Sequence, residues 1–301
     1  MYPKISVIIA VYNGAKVIEK SVGSFLNQNY DNKELVIVDG GSTDGTVSII
    51  KQFDNPSILW KSEPDKGVYD AMNKGIERAT GEWIYFLGAD DEFYNREVLA
   101  SLFGGGNFEG IDFLYGNVKR DGFKKVYDGE FDYRKLLIKN ISHQAIFYRK
   151  NIFQQLGNYN VNFKTHADWD FNLRCFEKKE IRIKYRPEVI ARFGQGGLSS
   201  SYDLPFFRNS LLPRKLSFLE NESDRLFNLK SYDEWWRFIR NSQLRSERDV
   251  INAGYHYPLP GVILSMVNTQ SKLPESLLKK GLFSKLFMFI NYLSGNHKLT
   301  H

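Results

Sequence analysis

Apolar residues in the first hundred positions come in short unbroken runs, not in alternation. Ile5-Ser6-Val7-Ile8-Ile9-Ala10-Val11, Glu34-Leu35-Val36-Ile37-Val38-Asp39 and Trp83-Ile84-Tyr85-Phe86-Leu87 each read as a strand buried on both faces, since a half-exposed strand would alternate. Ile58-Leu59-Trp60 is a shorter strand among them. Between these runs apolar positions recur at helical spacing: Val17, Ile18, Val22, Phe25 and Leu26 within residues 15–29, then helices over 46–53 and 67–79. Small turn-forming residues mark the joins. In Gly40-Gly41-Ser42-Thr43-Asp44-Gly45 they allow close backbone approach, and Ser42, Thr43 or Asp44 can cap the next helix. Strand and helix alternate, which predicts an α/β domain with a largely parallel sheet.

Further along, Phe113-Leu114-Tyr115-Gly116-Asn117-Val118 and Ala145-Ile146-Phe147-Tyr148 read as strands and 151–156 as a short helix. Another helix opens within His166-Ala167-Asp168-Trp169-Asp170-Phe171-Asn172-Leu173-Arg174, with Trp169, Leu173 and Phe176 at core spacing. A strand-like run ends at Ala191-Arg192-Phe193. The Gly- and Ser-rich stretch 194–201 follows it, either a plain linker or a loop that closes over a ligand. After Pro205 the chain turns into aromatic, Lys- and Arg-rich helical stretches through Trp235-Trp236-Arg237-Phe238, with apolar pieces at 261–267 and 281–293. The expected organisation is an α/β domain over 1–205, with halves of about 1–110 and 111–205, and a helical basic extension over 206–301.

Composition changes this picture only in places. At 301 residues, 42% hydrophobic and 25% charged, the chain can bury a core. The net charge of +6 is concentrated late: residues 211–301 hold 13 Lys and Arg against 8 Asp and Glu. A nucleic-acid binder would carry its basic stripe on the folded domain, so no nucleic-acid partner is expected. The basic, aromatic extension suits an anionic membrane surface, and equally suits packing on the α/β domain or on a second copy in a homo-oligomer. No apolar run reaches the roughly 18–20 residues that span a bilayer, and the N-terminus runs into a strand with no signal peptide. A single cysteine, Cys175, excludes an internal disulfide and a cysteine zinc cluster, and it reads as a small buried residue. The expected location is cytoplasmic, peripheral on the inner face of the plasma membrane.

Candidate chemistry starts at Gly88-Ala89-Asp90-Asp91. Two adjacent carboxylates ending a buried strand repel each other, and a divalent cation relieves that repulsion. Open α/β sheets also bind ligands at the carboxyl ends of their strands. Asp-Asp after a strand serves as a turn as well. No G-x-G-x-x-G and no G-x-x-x-x-G-K-[ST] is present, so phosphates need another holder. A metal on Asp91 and a cation such as Lys66, just before a helix N-terminus in Ser62-Glu63-Pro64-Asp65-Lys66-Gly67, would serve.

Taken in order, Ser6-Val7-Ile8-Ile9-Ala10-Val11-Tyr12-Asn13, Ser21-Val22-x-Ser24-Phe25-Leu26-x-Gln28, Val38-Asp39-Gly40-Gly41-Ser42-Thr43-Asp44-Gly45-Thr46 and Asp90-Asp91 resemble the family 2 glycosyltransferases over about residues 4–200. The resemblance implies a GT-A fold, a Rossmann-like, mostly parallel mixed sheet flanked by helices. It also implies an inverting enzyme that uses nucleotide sugars. By the same resemblance Ala10, Tyr12 and Asp39 hold nucleobase and ribose, Asp90 makes a ribose or metal-water contact, and Asp91 is the direct ligand of Mn²⁺ or Mg²⁺. Two positions depart from the frequent pattern. Gly88 stands where many members have the first acid of D-x-D-D, and Met72-Asn73 where many have Arg-Asn, so diphosphate contact rests more on Lys66. The segment 65–75 resembles a subgroup of bacterial surface-polysaccharide pathways.

The resemblance makes Asp168 the catalytic base, with Ala167 in place of a frequent Glu. His143, His166 and Asp170 are candidates for the acceptor site, although each also suits a structural role. The implied reaction moves one hexosyl or N-acetylhexosaminyl unit from a nucleotide diphosphate sugar, UDP-linked, to a hydroxyl of a glycan or lipid-linked saccharide acceptor. The alternatives are a sugar-1-phosphate nucleotidyltransferase, which would want a G-x-G-T-R loop where this chain has Tyr12-Asn13-Gly14, and a non-catalytic sugar-nucleotide or glycan-binding module.

Overall fold

The computed structural model describes residues 2–105, 108–123, 125–194 and 203–219. The chain divides into two units, Met1–Asp203 and Leu204–His301. The described part of the second is helical, including Leu212–Leu219. The tail stretches at 235–238, 261–267 and 281–293 and the body of the 194–201 loop lie outside the described residues. Among the described residues no helix is long and apolar enough to cross a membrane.

The four apolar runs of the N-terminal half become β1 (Ile5–Val11), β2 (Lys33–Asp39), β3 (Ile58–Ser62) and β4 (Trp83–Phe86), all parallel, in the spatial order β3-β2-β1-β4. Every residue of β4 is buried. By contrast β3 lies at the sheet edge, and Leu59 and Trp60 are exposed. The helices between them are α1 (Ile18–Leu26), α2 (Thr46–Ile50) and α3 (Val68–Arg78), each shorter than its apolar pattern predicts. Frayed turns explain part of the difference: residues 51 and 52 form a turn and do not continue α2. The chain leaves β1 towards β2 and β3, then returns on the other side of β1 with β4. The carboxyl ends of β1 and β4 thus flank a topological switch point, where such sheets open a crevice.

Beyond β4 come β5 (Glu92–Phe93), α4 (Val98–Phe103), β6 (Phe113–Arg120), β7 (Val126–Tyr127), α5 (Tyr133–Ile138), β8 (Ile146–Arg149), α6 (Asn151–Leu156), α7 (Ala167–Glu177) and β9 (Ile183–Phe193). They extend the same sheet as β4-β8-β6-β9-β5, with β7 paired to β6. One pairing matters for the site. Because β8 runs antiparallel to β4, with Phe147 opposite Tyr85, the residues just before β8 lie beside the residues just after β4. Aromatic rings pack at that junction and behind it: Tyr85 on β4 stacks on Phe147 on β8 at 4.5 Å, and Phe153 on α6 stacks on Phe171 on α7 at 4.5 Å.

Candidate functional site

Three loops gather at the carboxyl ends of β1, β2 and β4. The first two are laced by hydrogen bonds. Asn13 N–H donates to Ser42 Oγ (2.7 Å), Thr43 N–H to Asn13 Oδ1 (3.0 Å) and Gly14 N–H to Thr46 Oγ1 (2.9 Å). Asp44 anchors the start of α2 by accepting from Thr46 N–H and Oγ1 (3.1 and 2.5 Å), while Gly45, at φ 99°, is the residue that precedes the helix. An ideal Cβ at Gly14 lies 3.9 Å from Ala89 Cβ, which brings the third loop alongside.

Within this cluster Asp39 is fully buried. Its Oδ2 accepts from Gly41 N–H, Ser42 N–H and Ser62 Oγ at 3.1, 3.0 and 2.6 Å. Its Oδ1 is buried with no hydrogen-bond partner among the described residues. An acceptor fixed so firmly and left open awaits an N–H or O–H donor. Ala10 is half-buried at the end of β1, and Tyr12 just beyond it is 65% exposed. Asp65 presses on Gly40, since a Cβ there would fall on its carboxylate. The next residue, Lys66, is therefore beside the Asp39 loop, with its side chain exposed.

Asp90 and Asp91 divide their environments: Asp90 is exposed and Asp91 is buried. Burial pushes the Asp91 carboxyl up, and the neighbouring Asp90 adds to that. Gln144, His143 and the Gly194 N–H work the other way. Gln144 Nε2 donates to Asp91 Oδ2 at 2.6 Å. The position that departs from the frequent acidic pattern has a local reason. A Cβ at Gly88 would fall on Asp91 Oδ2, so a side chain there requires Asp91 to turn away.

These residues fit a divalent cation of the Mg²⁺ or Mn²⁺ type. Among the described residues no three His, Cys, Asp or Glu form a cage, but such ions are commonly held by one or two carboxylates with substrate phosphates completing the shell. A buried carboxylate that burial drives towards protonation is the group a cation would return to its charged form.

The second carboxylate is on α7. Asp168, also buried, accepts from Tyr69 Oη (2.7 Å) and Asn140 Nδ2 (2.9 Å). His143 Nδ1 stands 3.9 Å from its Oδ2. His143 also acts electrostatically on Asp91, drawing its carboxyl down. Asn140 is held in turn by Asn172 Nδ2 (2.9 Å), and Asn172 by Tyr148 Oη (2.7 Å), a polar chain threaded into the aromatic core.

The remaining sequence candidates lie around this pair. His166 precedes α7, contacts Thr165 Oγ1 through Nδ1 at 2.7 Å, and is tilted against Trp169. Burial pushes its pKa down, against the pull of Asp168 and Asp203. Asp170 has a partner of its own on the same helix. It accepts from Arg174 Nε at 2.9 Å, and Arg174 clasps the carbonyls of Leu156, Gly157 and Asn158. Tyr69, Asn140 and Gln144 carried no functional signal in the sequence. Asn140 and Gln144 are single polar residues outside any motif, Tyr69 stands unmarked within the segment 65–75, and only the β4–β8 pairing and the approach of α3 and α5 to α7 bring them in.

A mostly parallel mixed sheet flanked by helices, with Asp39 and Asp91 at its strand ends and Asp168 on a neighbouring helix, has the GT-A fold of glycosyltransferases. The chain belongs to glycosyl transferase family 2, whose family model matches residues 6–167, and it is a glycosyltransferase. A PGL/p-HBAD biosynthesis glycosyltransferase from Mycobacterium bovis is 42% identical over 205 residues, covering 66% of this chain and 80% of that protein. In fold, the chain is similar to S. aureus TarS 1–349 in complex with UDP-GlcNAc (TM-score 0.63, 18% identity, 96% of this chain and 89% of that one). It is also similar to a mannosyltransferase from Pyrobaculum calidifontis in complex with GDP-Man and Mn²⁺ (TM-score 0.54, 16% identity, 97% and 88%).

Proposed function

We propose that this glycosyltransferase moves one sugar, with inversion, from a UDP-linked donor to a hydroxyl of a glycan or lipid-linked saccharide acceptor in bacterial surface-glycan synthesis. One observation carries the reading: two buried carboxylates, Asp91 and Asp168, come from different halves of the domain and are both bonded by one short segment, Gln144 to Asp91 and Asn140 to Asp168. In this reading Tyr12 stacks on the base and Asp39 Oδ1 accepts its N–H or a ribose hydroxyl. Asp91, with Asp90 beside it, would hold a divalent cation, which would neutralise charge developing on the leaving diphosphate. Lys66 meets the same phosphates from the start of α3. Asp168 takes the proton from the acceptor hydroxyl as the sugar is attacked from the face opposite the nucleotide. His143 and His166 line the acceptor side. The UDP-GlcNAc complex of TarS favours a UDP donor.

The test is a panel of UDP- and GDP-sugars, scored for Mn²⁺-dependent nucleotide release by wild type and Asp168→Asn. General-base catalysis typically contributes about 10²–10⁴-fold. The variant's turnover is expected to fall by that order while its nucleotide affinity stays at the wild-type value. Wild-type turnover in Asp168→Asn would remove Asp168 from the chemistry, and equally tight UDP binding with chelator would remove the cation.

A further inference from the structure

Five consecutive residues, Asn140 to Gln144, touch both carboxylates, and the amide at each end is oriented by a bond of its own. At one end Asn172 Nδ2 donates to Asn140 Oδ1 (2.9 Å). The Asn140 amide can therefore turn only its nitrogen to Asp168 Oδ2. At the other, Ser142 Oγ donates to Gln144 Oε1 (2.5 Å), which leaves the Gln144 nitrogen to donate to Asp91 Oδ2. A carboxylate only accepts, so each pairing is the one its chemistry allows.

The backbone between the two ends is also held. Ile141 is buried, Ala145 N–H donates to Ser142 O (2.8 Å), and the Gln144 carbonyl accepts from Tyr85 Oη (2.9 Å) on β4. The Tyr85 anchor sits on the strand that leads to Asp91, and the Asn172 anchor is on α7, which carries Asp168.

We propose that Asn140 and Gln144 are positioning residues, and that the segment between them sets the separation of the carboxylate that serves the leaving diphosphate from the carboxylate that activates the acceptor. The inference rests on the assignment of Asp91 and Asp168 given above. Each end has its own consequence. Loss of the Asn140 donor lets the Asp168 carboxylate rotate out of line with the acceptor and leaves donor binding intact. Loss of the Gln144 donor frees the Asp91 carboxylate, and the cost falls on cation affinity. A fault confined to general stability would move both readouts together.

The test uses the full chain as Asn140→Ala, Gln144→Leu and Asp168→Asn. One readout is kcat and KM on whichever panel donor wild type hydrolyses fastest. The other is calorimetric titration of UDP with Mn²⁺ and with EDTA. Asn140→Ala is expected to lower kcat about 10–100-fold, as a misplaced reacting group does, with KM and UDP affinity unchanged. Gln144→Leu is expected to weaken Mn²⁺-dependent UDP binding about 10–100-fold, the usual effect of losing a residue that orients a metal ligand, with affinity in EDTA unchanged. If either variant fails to fold, two others carry the same readouts. Asn140→Asp keeps the volume but turns an acceptor towards Asp168, and Ser142→Ala lets the Gln144 amide rotate. Wild-type values in these variants, or kcat and Mn²⁺–UDP affinity falling together in both, would overturn the inference. Should Asp168→Asn be inert while Asn140→Ala matches wild type, the bridge fails and the base assignment stands. An active Asp168→Asn overturns the base assignment and with it the bridge.

Discussion

Glu34 is a buried carboxylate that stays charged in the floor of the sheet. Ser6 Oγ, Thr80 N–H and Thr80 Oγ1 donate to it at 2.5, 2.5 and 2.7 Å, and Lys4 Nζ pairs with it at 2.6 Å. Burial pushes its carboxyl up, yet the bonds from Lys4, Ser6 and Thr80 outweigh that and hold it at about 2. An unfolded Glu titrates near 4.3. The folded value is depressed, so the stability this group contributes is full above about pH 4.3 and is lost as pH falls towards 2. Thermal melts between pH 6 and 2 are expected to show a steeper acid loss in wild type than in Glu34→Gln. Parallel curves would mean that Glu34 does not carry this acid sensitivity. Ser6 and Gly81 were legible only as strand and turn residues. Their role around Glu34 needed the parallel register of β1 with β2 and β4.

At the scale of elements, α7 places two acids with separate tasks two positions apart. At 3.6 residues per turn they point to different sides of the helix. Asp168 meets Tyr69 and Asn140, whereas Asp170 meets Arg174, whose guanidinium ties α7 to the loop after α6. Asp170→Asn leaves Arg174 short of its charge partner. It is expected to lower stability by roughly 1–3 kcal/mol, the range for a broken buried hydrogen bond, while kcat and UDP affinity are kept. Denaturant unfolding beside a rate assay checks this, and a dead but fully stable Asp170→Asn would reverse the two roles. Periodicity reveals that this helix exists and which residues its first turn contains. It does not reveal which partner each acid meets, because α3, α5 and the 157–159 loop arrive from positions distant in sequence.

The whole molecule joins a site-bearing unit, Met1–Asp203, to a unit whose sequence is basic and aromatic. All the residues assigned here to donor, cation and base belong to the first. We propose that the second directs the enzyme to an anionic membrane that presents the acceptor. A basic side chain near such a surface contributes about 1 kcal/mol. Replacing Lys279, Lys280 and Lys285 by alanine in the full chain is therefore expected to weaken flotation with anionic vesicles by about 3 kcal/mol, with UDP affinity unchanged. Equal flotation of variant and wild type, or none by wild type, would leave the extension as packing surface.

What the sequence alone determined is local in origin. Unbroken β-branched and aromatic runs specify strands, fully buried in β4 and mostly exposed at the sheet edge in β3. The alternation of strand and helix specifies a parallel sheet, and Tyr12, Asp39, Asp91 and Asp168 stand at loop and helix starts that chain order places near strand ends. Tertiary structure decided the pairings. The antiparallel return of β8 beside β4 sets Gln144 on Asp91, and the approach of α3 to α7 sets Tyr69 on Asp168. It also leaves Asp39 Oδ1 without a partner among the described residues and sends Asp170 to Arg174. Periodicity reports whether a residue faces the core. A hydrogen bond between residues 53 or 99 positions apart depends on where whole elements dock, and that is set by the summed packing of the sheet and its aromatic layer.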